Sequence, residues 1–130
     1  MTFGCGEYLV CPYLWSVGNP EKNSKILDAA VRNALWFTGE STEEQRRVSA
    51  AANLAQTPDM GTRTWEVWRG TDFVGIFRLE HIVPQVDALW HFVFLDGRFR
   101  GRRELMLRFL KEAFDSFGFQ RISMHIPAFR

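Results

Sequence analysis

The stretch Ala88–Leu95 (ALWHFVFL) constrains the fold more than any other part of the chain. Read as a strand, it sends its side chains alternately to two faces. Ala88, Trp90, Phe92 and Phe94 fall on one face, and Leu89, Val93 and Leu95 on the other. A strand that is apolar on both faces belongs inside a sheet that is covered on both sides. The chain must therefore supply further strands beside it and helices above and below. One polar residue, His91, interrupts the second face.

Asp96-Gly97 breaks the strand. Arg98, Arg100, Arg102 and Arg103 then surround Gly101, and an amphipathic helix starts at about Arg103. A strand, a glycine turn and a helix N-terminus together make an anion site. Unpaired backbone N–H groups and the positive end of the helix dipole point the same way there. Arginine adds a charged fork that matches phosphate in geometry. The same residues also make an ordinary solvated turn, and the turn alone does not choose between the two.

The flanking segments complete an α/β pattern. Tyr8–Tyr13 reads as a first strand, with Pro12 placing it at an edge or near its end. Ser16–Asn23 reads as a turn. A helix is predicted from about Lys25 to Thr38, capped by Ser24, ended by Gly39, and apolar along Leu27, Val31, Ala34, Leu35 and Thr38. A second helix opens on a Ser41/Glu44 capping box. It carries a Glu43–Arg47 pair and a thin apolar stripe of Val48, Ala51 and Ala55. Gln56–Arg63 is predicted as a loop. Thr64–Arg69 and Phe73–Ile82 read as a hairpin, and Gly75 inside it marks a bulge or a close backbone approach. After the central strand, a helix carries Met106, Phe109, Leu110, Ala113, Phe114 and Phe117 inward and stops at Gly118. Arg121–Ile126 is predicted as the last strand, parallel to the central one because a helix joins them. The expectation is one domain over residues 1–130: a mixed sheet with helices on both faces.

Composition narrows the function classes. With 130 residues, 46% hydrophobic and 15% aromatic, the chain has ample material for one core. A net charge of +1 gives no global field toward nucleic acid or membrane. No apolar run approaches the roughly 20 residues of a membrane helix, and the N-terminus lacks the pattern of a signal peptide. Cys5 and Cys11 are therefore read as free thiols. No His/Cys cluster has metal-ligand spacing.

The second half, about Thr64–Phe129, resembles the GCN5-related N-acetyltransferase (GNAT) superfamily. The likeness rests on the hairpin, the central strand, the arginine-glycine turn, the following helix and the strand ending in GFQRISMHIPAF. The family turn reads Q/R-x-x-G-x-G/A. Arg98 and Gly101 match it, while Arg103 replaces the small last residue. The resemblance implies an α/β, mostly antiparallel mixed sheet with acetyl-CoA as co-substrate. Backbone N–H groups from about Arg100 to Arg103 would hold its pyrophosphate. Phe94 and Leu95 would pair with its pantetheine arm, which enters where the central and last strands splay apart. Acetyl transfer to an amine also needs a base. His91 is the best-placed candidate, with His81 and His125 as alternatives. A lone histidine on an apolar face is also commonly a hydrogen-bonded core residue. The family continues into another helix and two more strands, which usually carry a tyrosine acid. This sequence stops at Pro127-Ala128-Phe129-Arg130, and its tyrosines, Tyr8 and Tyr13, lie at the other end.

Two functions follow from the resemblance. One is an acyl-CoA-binding N-acetyltransferase acting on an unknown amine in the cytoplasm. The other is a catalytically lost GNAT-like component of a larger assembly, such as a phage particle, since pared-down relatives occur among phage-encoded proteins. An unpaired edge on the last strand predicts a protein partner or a second copy covering it. Nucleic-acid binding by RFRGRR, with Phe99 stacking, is disfavoured by the low net charge and the lack of a broad basic face.

Overall fold

The computed structural model describes residues 1–15, 19–33, 42–55, 61–96 and 99–124. Its elements run β1 (Phe3–Cys5), β2 (Tyr8–Tyr13), α1 (Pro20–Asn33), α2 (Glu43–Leu54), β3 (Arg63–Arg69), β4 (Asp72–Val83), β5 (Asp87–Phe94), α3 (Arg102–Phe117) and β6 (Arg121–Ser123). The six strands form one sheet in the order β1-β2-β3-β4-β5-β6. Every neighbouring pair is antiparallel except β5–β6, which is parallel as the joining helix requires.

The central strand is covered on both faces. On one, Trp90 and Phe94 pack with Phe77, Leu79 and Trp65 beneath Leu105, Phe109 and Ala113 of α3. On the other, Val93 and Ile76 pack under Ile26, Ala29 and Ala30 of α1 and Ala50 and Leu54 of α2. The first layer is largely aromatic: the Phe109 ring stacks on Phe77 at 4.3 Å and on Trp90 at 5.9 Å.

Gly75 makes the close approach its position in the strand suggested. A Cβ there would lie 2.2 Å from the Val93 carbonyl oxygen and 2.9 Å from the Phe94 Cα. The β3–β4 register also shifts beside it, leaving Val74 as the extra residue of a bulge. Pro12 pairs with Trp65 of β3 and lies past the last β1 partner, so its missing N–H costs no ladder bond on the open side.

Several local expectations are corrected. An extra strand, β1, precedes Tyr8–Tyr13 and pairs with it as a hairpin. Helix α1 starts at Pro20, not Lys25. Asn19, not Ser24, caps it, with Oδ1 accepting from the Glu21 N–H at 2.8 Å, and proline's fixed φ suits the first helical position. The capping box of α2 is Thr42 with Gln45, one residue beyond Ser41 and Glu44. Arg47 pairs with Asp28 of α1 at 2.7 Å instead of with Glu43, because the two helices pack side by side. The buried face of α2 is Ala50 and Leu54, whereas Val48 and Ala55 are exposed. In α3, Leu105 is buried and Phe114 is partly exposed. Strand β6 ends at Ser123, and Met124 beyond it is exposed. Ala34, Leu35, Thr38, Gly39, Ser41, Gly97, Arg98 and His125 lie outside the described residues.

Candidate functional site

The turn before α3 is held from an unexpected direction. Gly101 is the N-cap of α3 with φ +78°, a conformation that glycine adopts without strain. A Cβ at this residue would meet the Tyr8 ring at 3.4 Å. The Tyr8 hydroxyl donates to the Arg100 carbonyl. Phe99 wedges between the Tyr8 ring at 5.4 Å and the Phe94 ring at 5.0 Å. Tyr8 thus joins the turn despite its distance in sequence. Only the contact itself reveals this, because no local pattern links positions 92 residues apart.

The helix N-terminus carries no side-chain cap. The first intrahelical bond runs from the Leu105 N–H to the Gly101 carbonyl at 2.9 Å, so the N–H groups of Arg103 and Glu104 precede the helical ladder. Arg100 and Arg103 are exposed, so the arginine in place of a small residue points its side chain into solvent. The Arg102 guanidinium lies over the Phe92 and Phe94 rings at 5.6 and 5.4 Å. The arrangement presents backbone donors, the dipole and guanidinium groups at one place, which is anion-binding chemistry.

Among the described residues, strand β5 has an unpaired edge on the side toward β6 beyond Leu89. Its register with β6 ends at Leu89–Ser123, while its pairing with β4 continues to Phe94. The Leu95 N–H bonds to the Val74 carbonyl at 2.9 Å, which puts residues of its parity toward β4. By the alternation of an antiparallel ladder, the N–H and C=O groups of Trp90, Phe92 and Phe94 face the β6 side. Phe94 therefore stands on that edge. Leu95 is turned the other way, and its carbonyl accepts from Arg32 Nη2 at 3.1 Å.

His91 lies on the opposite face, in a buried charge network. Its Nε2 is 3.2 Å from Glu80 Oε2, and Glu80 Oε1 accepts from Arg78 Nε at 2.8 Å. Arg78 is wholly buried; it also donates to Thr64 Oγ1 at 2.9 Å and to the Asn53 carbonyl in the last turn of α2. Burial alone raises the Glu80 pKa. Hydrogen bonds from His91 and Arg78, with their charges, outweigh it and hold the carboxyl at about 2. Burial likewise pulls the Arg78 guanidinium below its ordinary value against the opposing pull of Glu80. Nothing in the alternating pattern of β4 marks Arg78 as buried. His81 sits elsewhere, exposed at φ +52° near the end of β4, where the register with β5 shifts.

Cys5 and Cys11 are free, as expected. Burial, and then the Glu66 carboxylate 3.4 Å away, push the Cys11 thiol up to about 11, which makes it a poor nucleophile. Glu66 also pairs with Lys22 at 2.7 Å. The Lys22 ammonium lies over the rings of Tyr13, Trp68 and Phe73, pinning α1 to the β3–β4 hairpin. A cleft of about 680 Å³ runs between that hairpin and the start of α1, and reaches Leu95, Asp96 and Phe99. Among the described residues no group of His, Cys, Asp and Glu side chains is arranged for a metal ion, and no helix is long and apolar enough to cross a membrane.

This architecture is that of the GNAT acetyltransferases. Solved structures with the same fold include an acetyltransferase from Streptococcus agalactiae, 20% identical, with a TM-score of 0.57 over 91% of this chain and 72% of that one. The N-acetyltransferase PseH of Campylobacter jejuni, in complex with acetyl coenzyme A, is 12% identical, with a TM-score of 0.56 over 91% of this chain and 77% of that one. A GNAT-family acetyltransferase from Bacillus anthracis is 16% identical, with a TM-score of 0.58 over 94% and 71% of the two chains. At these identities the likeness is one of fold. No family model matches the sequence, and no curated protein does.

Proposed function

We propose that the chain is an acyl-CoA-binding domain that moves an acetyl group from acetyl-CoA to an amine. The observation that carries this reading is the succession of two features. The edge of β5 at Trp90–Phe94, unpaired among the described residues, is followed seven residues later by the uncapped N-terminus of α3. The residues present fit the group. Gly101 in its left-handed conformation lets a phosphate approach the backbone closely. The N–H groups of Gly101, Arg103 and Glu104, with the Arg100, Arg102 and Arg103 side chains, would bind the pyrophosphate. The outward N–H and C=O groups of Phe94 would pair with the pantetheine arm. Arg98 completes the motif in sequence.

Bound acetyl-CoA supplies an acetyl group activated as a thioester. For the acceptor, His91 is the base. An ionised Glu80 only accepts hydrogen bonds, so the proton of the neutral imidazole sits on Nε2, facing Glu80. Glu80 itself, with a pKa of about 2, is too weak a base for the task.

A second reading is the same fold without catalysis, serving as an interaction component. It is favoured by how firmly His91 is tied into the Arg78–Glu80 network. Partly exposed Phe114 and exposed Leu107 and Met124 support a protein partner or second copy near α3 and β6, which sedimentation would detect.

Thermal melting with acetyl-CoA, with free CoA and ATP as controls, tests the binding step. At a ligand concentration one hundred times Kd, linkage gives about 2.7 kcal/mol of stabilisation, which raises Tm by several degrees. The rise should shrink in Gly101→Asp. No rise at millimolar acetyl-CoA would remove the acyltransferase reading. A rise with no transfer to any amine, unchanged by His91→Ala, would favour the second.

A further inference from the structure

A cavity of about 540 Å³ opens between α1 and α2, away from the turn before α3. Asp28, Val31 and Arg32 line it from α1, and Glu43, Arg46 and Arg47 from α2. Its internal bonds leave positive charge over. Arg47 and Asp28 neutralise each other at 2.7 Å. Arg32 donates to the Leu95 carbonyl at 3.1 Å, a neutral group that leaves the arginine's charge unmatched. Among the described residues the Arg46 side chain has no hydrogen bond or ion pair, and its Nε is shielded from solvent without an acceptor. Against the Arg32 and Arg46 charges stands only the exposed carboxylate of Glu43.

The position of Arg46 makes its unpaired charge unusual. Arg46, Ala50 and Leu54 recur at every fourth residue, and Ala50 and Leu54 are the buried residues of α2. Arg46 therefore continues the buried ridge of the helix, where an apolar side chain would pack. The arginine is half-buried there, and a cation partly removed from water costs free energy until a counter-charge approaches. The Thr42–Gln45 capping box already closes the start of α2, so the guanidinium groups, not the helix end, are the donors. We propose that this cavity binds a small oxyanion, a carboxylate or phosphate group, through Arg46 and Arg32. Each guanidinium presents planar N–H donors that match such a group in charge and geometry. Coming from different helices, the two would join α1 to α2 through the anion. The site shares no residue with the turn before α3, and it does not depend on acyl-CoA binding.

The test titrates the full chain with millimolar sodium phosphate and, separately, sodium succinate, with sodium chloride at equal ionic strength as control. Thermal melts are read for the wild type, Arg46→Gln and Gly101→Asp. General salt effects act on all three proteins, so the difference between them isolates the site. Phosphate, succinate or both should raise Tm beyond chloride in the wild type and in Gly101→Asp. The anion that does so identifies the group the cavity takes. Arg46→Gln should bind it about tenfold more weakly, as for one lost charge-assisted hydrogen bond. No rise with either anion, or an equal rise in Arg46→Gln, overturns the site. A rise lost in Gly101→Asp but kept in Arg46→Gln assigns the anion to the turn before α3, which overturns the cavity site and leaves the acyl-CoA reading standing. The assigned Arg46 Nε–H resonance of the wild-type protein gives a readout free of any variant. It should shift with the bound anion and not with chloride, and an unmoved resonance in both anions overturns the proposal.

Discussion

Glu80→Gln is the substitution whose effect can be worked most fully from the structure. It keeps the shape of the side chain and removes its charge. Arg78 then remains wholly buried with no carboxylate beside it, the situation in which breaking a buried pair is strongly destabilising. The size follows from titration. The Glu80 carboxyl lies at about 2 against an ordinary 4.5, because the hydrogen bonds and charges of His91 and Arg78 outweigh burial. At about 1.4 kcal/mol per pH unit, this makes about 3 kcal/mol. For a depressed carboxyl the stability is fully present above pH 4.5 and is lost as pH falls toward 2. Urea denaturation at fixed pH values from 7 to 2.5 measures it. Glu80→Gln should be about 3 kcal/mol less stable at pH 7, with Tm lower by roughly 10 °C. The gap should hold down to about pH 5 and then close with acidification, because the carboxyl of the unfolded wild-type chain takes up a proton below about 4.5 while the folded one stays ionised until about 2. Other carboxylates titrate in the same range, but they do so in both proteins, so the difference isolates Glu80. Parallel pH profiles, with the gap unchanged at pH 2.5, would refute the reasoning.

Three further outcomes are expected. Gly75→Ala should cost more than about 4 kcal/mol or abolish folding, since its Cβ would fall 2.2 Å from the Val93 oxygen; circular dichroism and denaturant melts report it. Tyr8→Phe should cost about 1 kcal/mol in the same melts, the net worth of its bond to the Arg100 carbonyl. It should also weaken the acetyl-CoA-induced rise in Tm, because the turn before α3 loses its brace. Arg47→Ala should change stability by less than about 0.5 kcal/mol, since its pair with Asp28 is largely solvated.

The sequence made the frame legible because its strongest pattern was redundant. Ala88–Leu95 is apolar at both parities, Gly70-Thr71-Asp72 and Pro84–Asp87 punctuate the strands beside it, and Gly118 closes the last helix. The capping errors came from competition among nearby polar residues. Asn19-Pro20 and Ser24 both offer a helix start, as do Ser41 and Thr42, and the choice depends on which turn the buried Ile26 and Leu54 must occupy. The turn before α3 was legible because it is local: Gly101 stands there as the N-cap at positive φ. The site was illegible where it depends on contacts distant in sequence. Tyr8 meets Arg100 only after the whole sheet has formed. Arg78 reads as an ordinary outward arginine until the end of α2 arrives to accept its hydrogen bond.

The strand order has a consequence for how the chain assembles during synthesis. Each strand lies beside the one made immediately before it, from β1 through β6. A ribosome releasing the chain from its N-terminus therefore adds each strand to an edge that already exists. No earlier segment has to wait for a later one to be inserted between them, which limits the time an open edge is exposed. The step that does wait is the closing of the aromatic layer. Phe77 and Trp90 emerge before Phe109, so those rings remain uncovered until α3 folds back over them.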